Sequence, residues 1–179
     1  MARVLQLSKT LTERPALPEA DWVAIRTFGG REDIPLWLEL RRRAFALMKV
    51  GVRDWDQDDF RREFLAKPWW NRDHLWIAET TPAANAPRPR TAIGTVTLAA
   101  RGAGPLGQPV VHWLAVHPAW RRKGVGRILM ATLEGCVWDS GGRRIALETH
   151  EDWRSAAEFY GSLGYEEVQP SSDLAGAGS

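Results

Sequence analysis

A basic turn with two glycines is the stretch of this sequence best suited to chemistry. Residues 121–126 read Arg-Arg-Lys-Gly-Val-Gly, between an apolar run at 110–116 and an amphipathic run at 124–140. These runs predict a strand before the turn and a helix after it. The first turn of a helix has free N–H groups and the positive end of the helix dipole, and three cationic side chains would strengthen that field. Because glycine has no Cβ, a ligand can also approach the backbone closely. The turn is therefore a candidate receptor for a diphosphate.

The spacing of this turn excludes two common diphosphate loops. A Walker loop ends in Gly-Lys-Ser or Gly-Lys-Thr, and no such sequence occurs here. A dinucleotide-binding fingerprint needs a third glycine at position 129, which is Leu129 in this chain. On this motif alone, the alternative stays open that the turn is basic and binds nothing.

The composition limits the class of protein. The chain has 179 residues, enough for one domain with a substantial core, and its net charge of +2 is too small to indicate a nucleic-acid partner. No apolar run is long enough to cross a membrane, and residues 1–18 lack the apolar core of a signal peptide. The single cysteine, Cys136, excludes an internal disulfide and a multi-cysteine metal site. We therefore expect a cytoplasmic protein without a bound metal or a membrane partner.

Hydrophobic periodicity predicts the order β-α-α-β-β-β-α-β-α-β, typical of a mixed α/β sheet with helices on both faces. The predicted strands cover residues 22–28, 74–80, 91–99, 110–116, 143–149 and 165–169. The predicted helices cover residues 33–48, 56–66, 124–140 and a segment that starts at 153 or 155 and ends at 163. Asp56 and Ser155 have the spacing of helix caps, and Arg41, Arg42 and Arg43 are expected to face solvent. The predicted organisation is an N-terminal arm (1–18), one domain (19–170) and a disordered tail (171–179).

A second motif lies about forty residues after the basic turn. Residues 157–165 read Ala-Glu-Phe-Tyr-Gly-Ser-Leu-Gly-Tyr. The turn, read as Arg-x-x-Gly-x-Gly, and this segment together resemble the GNAT superfamily of N-acetyltransferases over residues 22–169. The resemblance implies the GNAT fold: a single mixed, mostly antiparallel sheet with helices on both faces. Its fourth and fifth strands are parallel and splay apart to admit the pantetheine arm of acetyl-CoA.

The implied reaction is transfer of an acetyl group from acetyl-CoA to a primary amine, by direct attack in a ternary complex. Such a transfer needs a held thioester, a neutral amine, hydrogen-bond donors for the developing oxyanion and a proton for the leaving thiolate. By the resemblance, backbone N–H groups of residues 114–116 supply the donors. Tyr160 matches the tyrosine that protonates the thiolate, and a phenol has a pKa close enough to that of a thiol for this transfer.

The base that takes the proton from the amine is left between His112, Glu148 and water. On a regular strand, residues 112, 114 and 116 share one face, and a histidine titrates near neutral pH. The stretch 112–117 resembles the arylalkylamine N-acetyltransferase branch, in which a histidine at this position helps to deprotonate the amine. Glu148, on the neighbouring predicted strand, is the rival candidate.

The resemblance also implies a set of residues that hold acetyl-CoA. At position 154 many members of the family have an asparagine that contacts pantetheine, and this chain has an arginine instead. The predicted cofactor-binding residues are Leu114, Ala115, Val116, Arg121, Arg122, Lys123, Gly124, Val125, Gly126, Arg127 and Arg154.

The acceptor is the least constrained part of the prediction. Trp69 and Trp70 follow the second predicted helix and are candidates for the wall of an acceptor pocket. A small amine is the favoured acceptor, with a protein N-terminus or lysine as the alternative. A non-catalytic acyl-CoA-binding module is a third possibility, opposed by the presence of both Tyr160 and His112. We expect a monomer or a homodimer.

Overall fold

The computed structural model describes residues 3–46, 53–81, 90–102 and 107–168. These residues form a single seven-stranded sheet in the order β2-β3-β4-β5-β6-β1-β7. The strands are β1 (Val4–Thr10), β2 (Val23–Thr27), β3 (Leu75–Thr80), β4 (Ala92–Arg101), β5 (Gln108–Val116), β6 (Arg144–His150) and β7 (Glu166–Glu167). The helices are α1 (Asp33–Phe45), α2 (Gln57–Phe60, continued by a π turn at Arg61–Leu65), α3 (Val125–Asp139) and α4 (Arg154–Ser162). The end of the first predicted helix at residues 47–48 and the predicted tail at 171–179 lie outside the described residues.

The sheet is covered by helices on both faces, as predicted. Along β3, alternate residues point to opposite sides. Trp76 and Ala78 pack in a cluster with Leu129 and Leu133 of α3. Leu75 and Ile77 pack in a second cluster with Trp37 of α1 and with Phe60 and Phe64. The two cores therefore lie on opposite faces of one sheet.

The predicted N-terminal arm is wrong for residues Val4–Thr10, which form β1. This strand runs antiparallel to β6, from the pair Val4↔His150 to the pair Thr10↔Arg144, and it also pairs with β7. Leu7 is buried, whereas Gln6 and Ser8 are not, which is the period-2 pattern of a half-buried strand. Of the final strand predicted at 165–169, residues 165–168 are described, and among these Glu166–Glu167 form the strand.

Two local predictions about helix ends have opposite outcomes. The carboxylate of Asp56 accepts hydrogen bonds from the backbone N–H groups of Asp58 and Asp59. The backbone N–H of Asp56 in turn donates to the carboxylate of Asp59, which completes a capping box at α2. The cap expected at Ser155 is wrong, because α4 begins after Trp153 and has no side-chain cap.

The arginines of α1 do not all face solvent. Arg42 and Arg43 pair with Glu39 at the surface, as expected. Arg41 is buried, with 3% of its surface exposed. It follows Trp37 by four residues and therefore lies on the same buried face of the helix.

Strand β5 contains a bulge at Trp113 and Leu114. Thr97 pairs with His112 and Thr95 with Ala115, so two residues, Trp113 and Leu114, lie opposite one residue of β4. Trp113 has a φ of 51°, a left-handed conformation that costs a non-glycine residue about 1–2 kcal/mol.

The bulge overturns the expectation that residues 112, 114 and 116 share a face. His112 contacts Phe64 and Trp69 on the side of α1 and α2, with ring centroids 5.3 Å and 5.4 Å apart. Leu114 and Val116 pack against the opposite cluster, the one that contains α3. The extra residue of the bulge places the side chain of His112 on one face of the sheet and those of Leu114 and Val116 on the other.

Candidate functional site

A cavity of about 930 Å³ lies between β5 and β6. The two strands are parallel and share one register pair, Val110↔Ala146. Beyond that pair, residues of both strands line the cavity, which extends to the start of α3 at one end and to Arg101 and Glu148 at the other. Strand pairing at a single position leaves backbone groups along the facing edges of β5 and β6 without a ladder partner, and the cavity is therefore bordered by free donors and acceptors.

The two positions of the basic turn that are glycine require it for different structural reasons. Gly124 is the N-cap of α3 and has a φ of 88°, where a residue with a Cβ is strained, although nothing lies within 4 Å of where that Cβ would be. Gly126 lies in the first turn of α3, and a Cβ there would approach the ring of Phe159 to 3.1 Å. Gly124 therefore permits the turn, and Gly126 permits α4 to pack against α3. Both residues line the cavity.

The basic side chains of the turn divide into two groups. Arg122 and Arg127 line the cavity beside the glycines, and Arg127 donates a hydrogen bond to Ser162 at 2.9 Å. Arg121 also borders the cavity, but its guanidinium donates to the carbonyl oxygens of Val116 and Ala44. Arg121 thus joins the turn to the end of α1.

The remaining predicted cofactor-binding residues also divide between the cavity and other places. Leu114, Ala115 and Val116 line the cavity. Lys123 lies over the ring of Trp120 at 4.7 Å, and Val125 is buried in the core. Arg154 is exposed and lies outside the cavity lining, whereas its neighbours Trp153 and Ser155 belong to it.

Tyr160 lines the cavity from α4, and 9% of its surface is exposed. Burial raises the pKa of its phenol well above the ordinary value of 10.0. The hydroxyl therefore stays protonated at neutral pH and is available as a donor. The same low-polarity surroundings would disfavour a thiolate, so the pKa values of phenol and thiol move in the same direction.

Glu148 lies at the end of the cavity away from α3, and both hydrogen bonds to its carboxylate go to the same oxygen. Its Oε1 accepts hydrogen bonds from Gln6 Nε2 at 2.7 Å and from Arg101 Nη2 at 2.6 Å. The Gln6 hydrogen bond is the main cause that lowers the pKa of Glu148 below its ordinary value, and Arg101 adds to it. Glu148 is therefore an anion at neutral pH, suited to attract an ammonium group.

His112 also lines this end of the cavity, in neutral form. Burial lowers the pKa of its imidazole to about 4. Its Nε2 is buried and has no hydrogen-bond partner among the residues that the structure describes. A neutral imidazole can accept a proton, but with this pKa it is a weak base until a bound substrate changes its surroundings.

Trp69 and Trp70 do not line the cavity. Trp69 packs against Phe64 and His112, and Trp70 against Phe28 and Phe60, all on the side of α1 and α2. Trp69 thus lies behind His112.

The aromatic wall of the cavity is formed by residues that the sequence did not single out. Phe45 contacts Trp113 at 5.5 Å and Trp153 at 5.9 Å, and Trp153 contacts His150 at 5.7 Å. All four line the cavity, and Nδ1 of His150 is buried without a partner among the described residues. These contacts join the ends of α1, β5 and β6, and no local pattern in the sequence connects those ends.

The described residues contain neither a metal-binding cluster nor a membrane-spanning helix. No group of three or more His, Cys, Asp or Glu side chains is arranged there to hold a metal ion. None of the described helices is both long enough and apolar enough to span a bilayer.

The sequence pattern of the acetyltransferase (GNAT) family matches residues 40–165. This match covers the bulged strand, the basic turn, α3, β6 and α4. The chain belongs to this family. The match confirms the family that the sequence resemblance implied. The single mixed sheet, with helices on both faces and parallel β5 and β6, is the GNAT fold that the resemblance implied.

Known proteins similar to this GNAT chain include one curated relative. Mycothiol acetyltransferase from Thermobifida fusca (strain YX) is 32% identical over 163 residues, which cover 88% of this chain and 48% of the relative. This chain therefore spans about half the length of that protein.

Solved structures show the same fold. A GCN5-related N-acetyltransferase from Sphaerobacter thermophilus has a TM-score of 0.72 and 18% identity, with 92% of this chain and 48% of that chain covered. The aminoglycoside N-acetyltransferase AAC(6')-Iy, in complex with the bisubstrate analogue CoA-S-monomethyl-acetylneamine, has a TM-score of 0.57 and 21% identity. That comparison covers 83% of this chain and 93% of that one.

Proposed function

We propose that this GNAT protein is a cytoplasmic N-acetyltransferase that transfers the acetyl group of acetyl-CoA to a primary amine of a small molecule. The observation that carries the proposal is the cavity between β5 and β6. It joins the start of α3, where Gly124 and Gly126 lie, to the carboxylate of Glu148 at the other end. The cationic, N–H-rich end matches a CoA diphosphate. At the other end Glu148 is paired with Arg101 through Oε1, and its second carboxylate oxygen is left to accept an ammonium group.

The cofactor would lie along β5. The first turn of α3 binds the diphosphate through backbone N–H groups, with Arg122 and Arg127 beside it. Within Leu114 to Val116, the backbone N–H groups that do not bond β4 would face the thioester carbonyl and stabilise the oxyanion that forms on it.

The acceptor would enter at the end that holds Glu148. Its carboxylate attracts the ammonium group, and Phe45, Trp113 and Trp153 cover the apolar part of the molecule. The ammonium proton leaves to His112, either directly or through water, and the neutral nitrogen attacks the thioester carbon. The attack forms the C–N bond and places a negative charge on the carbonyl oxygen. When this intermediate collapses, the C–S bond breaks, Tyr160 gives its proton to the departing thiolate, and the second proton released by the nitrogen restores the Tyr160 hydroxyl.

A small acceptor is supported by the aromatic wall of Phe45, Trp113 and Trp153, which lines the same cavity. Two similar proteins support a small acceptor by name: one is a mycothiol acetyltransferase, and the other is bound to an analogue that contains an acetylated neamine. A third, named as a ribosomal-protein-S18-alanine N-acetyltransferase, supports the alternative of a protein acceptor. Glu148 remains the alternative base, but its lowered pKa suits an ammonium anchor better than a proton acceptor.

The test is a thiol-release assay with acetyl-CoA and a panel of small primary amines, with peptides that carry a free N-terminus or a lysine as the comparison set. We expect turnover with at least one small polar amine and none with peptides. The Gly124→Glu variant, checked for folding, should lose acetyl-CoA affinity by calorimetry because it places a carboxylate where the diphosphate is expected. Turnover with peptides alone would contradict the acceptor class, and unchanged affinity in Gly124→Glu would contradict the cofactor site.

A further inference from the structure

Arg41 is a buried cation without a carboxylate partner among the described residues. Its Nη1 donates to the carbonyl of Arg53 at 3.0 Å, and its Nε is buried and unpaired within the described part of the chain. Two other arginines near α1 and α2 bond a buried carboxylate: Arg26 bonds Asp33, and Arg53 bonds Asp59. Burial lowers the pKa of Arg41, as expected for a charge that is not neutralised. Because a buried, incompletely paired guanidinium disfavours folding, its presence needs another explanation.

The main contacts of the Arg41 guanidinium are two indole rings. Its Cζ lies 4.4 Å from the ring centroid of Trp55 and 4.5 Å from that of Trp113. The two rings meet at an angle of 73°, with centroids 5.1 Å apart, and the cation fills the angle between them. A guanidinium over an indole face is a favourable contact, and more so away from water.

Trp113 is the left-handed residue of the β5 bulge. Strained backbone persists where the surroundings over-determine it, and such residues cluster at functional sites. The contacts that hold Trp113 are Arg41 and Phe45 of α1, Trp55, and its own neighbour His112. Arg41 belongs to α1 and donates a hydrogen bond to the carbonyl of Arg53, two residues before Trp55. Its guanidinium is therefore held by two segments of the chain where it contacts the indole of Trp113.

The bulge determines the direction of the backbone that follows it. Leu114, Ala115 and Val116 line the cavity next to Trp113, on an edge of β5 that β6 does not pair. We infer that Arg41 is a positioning residue: it locks Trp113 in its left-handed conformation and thereby aims at the acetyl carbonyl those N–H groups of residues 114–116 that do not bond β4. This inference rests on the proposed location of the thioester carbonyl against those N–H groups.

The carbonyl stretch of bound acetyl-CoA reports these donors without any acceptor. Isotope-edited infrared spectra are recorded for [1-13C]acetyl-CoA, free and bound to the full chain, since hydrogen bonds to the carbonyl oxygen lower its frequency. The variants are Arg41→Met, Arg41→Lys and the matched control Arg42→Met, because Arg42 is exposed on the same helix. Calorimetry gives the acetyl-CoA affinity of each variant, and circular dichroism its folding.

We expect a lowered frequency in the wild type and in Arg42→Met, and loss of at least half of that shift in Arg41→Met with affinity within twofold. If Arg41→Met does not fold, Arg41→Lys decides, since it keeps the charge but loses the planar group, and a partial loss of the shift is expected. The full wild-type shift in a folded Arg41 variant overturns the inference and leaves the proposed function intact. Absence of a shift in the wild type overturns both the inference and the proposed location of the carbonyl. A loss of affinity above tenfold that accompanies a lost shift indicates general damage to the cavity and also overturns the inference.

Discussion

Gln6 holds the carboxylate of Glu148 by a hydrogen bond of 2.7 Å from its side-chain amide. The two residues come from opposite ends of the sequence and meet because β1 pairs with β6 in the register that places them side by side. The amide fixes one carboxylate oxygen and stabilises its charge, which keeps Glu148 ionised at the end of the cavity.

Gln6→Leu removes this donor and should raise the pKa of Glu148. The acid limb of kcat/KM for the amine should therefore move to higher pH, and KM for the amine at neutral pH should rise by roughly threefold to tenfold, because one hydrogen bond to a charged group is lost. The measurement is a pH profile with an amine identified by the thiol-release panel. Ser8→Ala is the matched control on the same strand, and identical profiles for Gln6→Leu and wild type would remove Gln6 from the site.

Tyr160→Phe should lower kcat by on the order of 10²- to 10⁴-fold, because the thiolate loses its proton donor. Acetyl-CoA affinity by calorimetry should stay nearly unchanged. Tyr165→Phe is the matched control, since Tyr165 donates to Glu134 at 3.0 Å in the core and should affect stability rather than kcat. A near-native kcat in Tyr160→Phe, measured where chemistry limits the rate, would return Tyr160 to a packing role.

His112 should make folding stability depend on pH. Burial lowers its pKa from 6.5 to about 4, so between these values the unfolded chain binds a proton that the folded protein does not. The contribution of neutral His112 to the free energy of unfolding is present in full above pH 6.5. It falls as the pH drops to 4, by about 3 kcal/mol at 1.36 kcal/mol per pKa unit. Urea unfolding at several pH values should show this loss in the wild type and a smaller one in His112→Gln. Equal pH dependence in both proteins would mean that His112 titrates normally.

Gly126→Ala and Gly124→Ala should destabilise the protein for different reasons. Alanine at 126 meets the ring of Phe159 at 3.1 Å, so Phe159→Leu should restore stability to that variant. Alanine at 124 has open space but a φ of 88°, and its loss of about 1 kcal/mol should not respond to Phe159→Leu. Thermal unfolding of the two single and two double variants measures this, and rescue of both glycine variants by Phe159→Leu would contradict it.

Features set by neighbouring residues in the chain could be predicted from the sequence. The Asp56 cap depends on the next three residues, and the fold class follows from the order of periodic segments. The glycines at 124 and 126 mark the start of α3.

Features set by contacts between distant segments could not be predicted. The side chain of Arg121 was expected at a phosphate, but it bonds Ala44, which lies 77 residues earlier. The bulge at Trp113 arises from the register between β4 and β5, and it moved His112 to the face opposite to that expected. Gln6 and the wall formed by Phe45 and Trp153 likewise depend on strand order, which the periodicity of the sequence does not encode.

Strand β1 has a practical consequence for any shortened form of this chain. A chain that begins at residue 19, the predicted start of the domain, would lack β1 and would leave β6 with an open, aggregation-prone edge. Alternate residues of β6, Ile145 and Leu147, are fully or almost fully buried, so intermolecular strand addition would have an apolar template. We expect such a truncation to form β-rich assemblies in light scattering, and a synthetic peptide of residues 3–11 to suppress them by taking the vacant position.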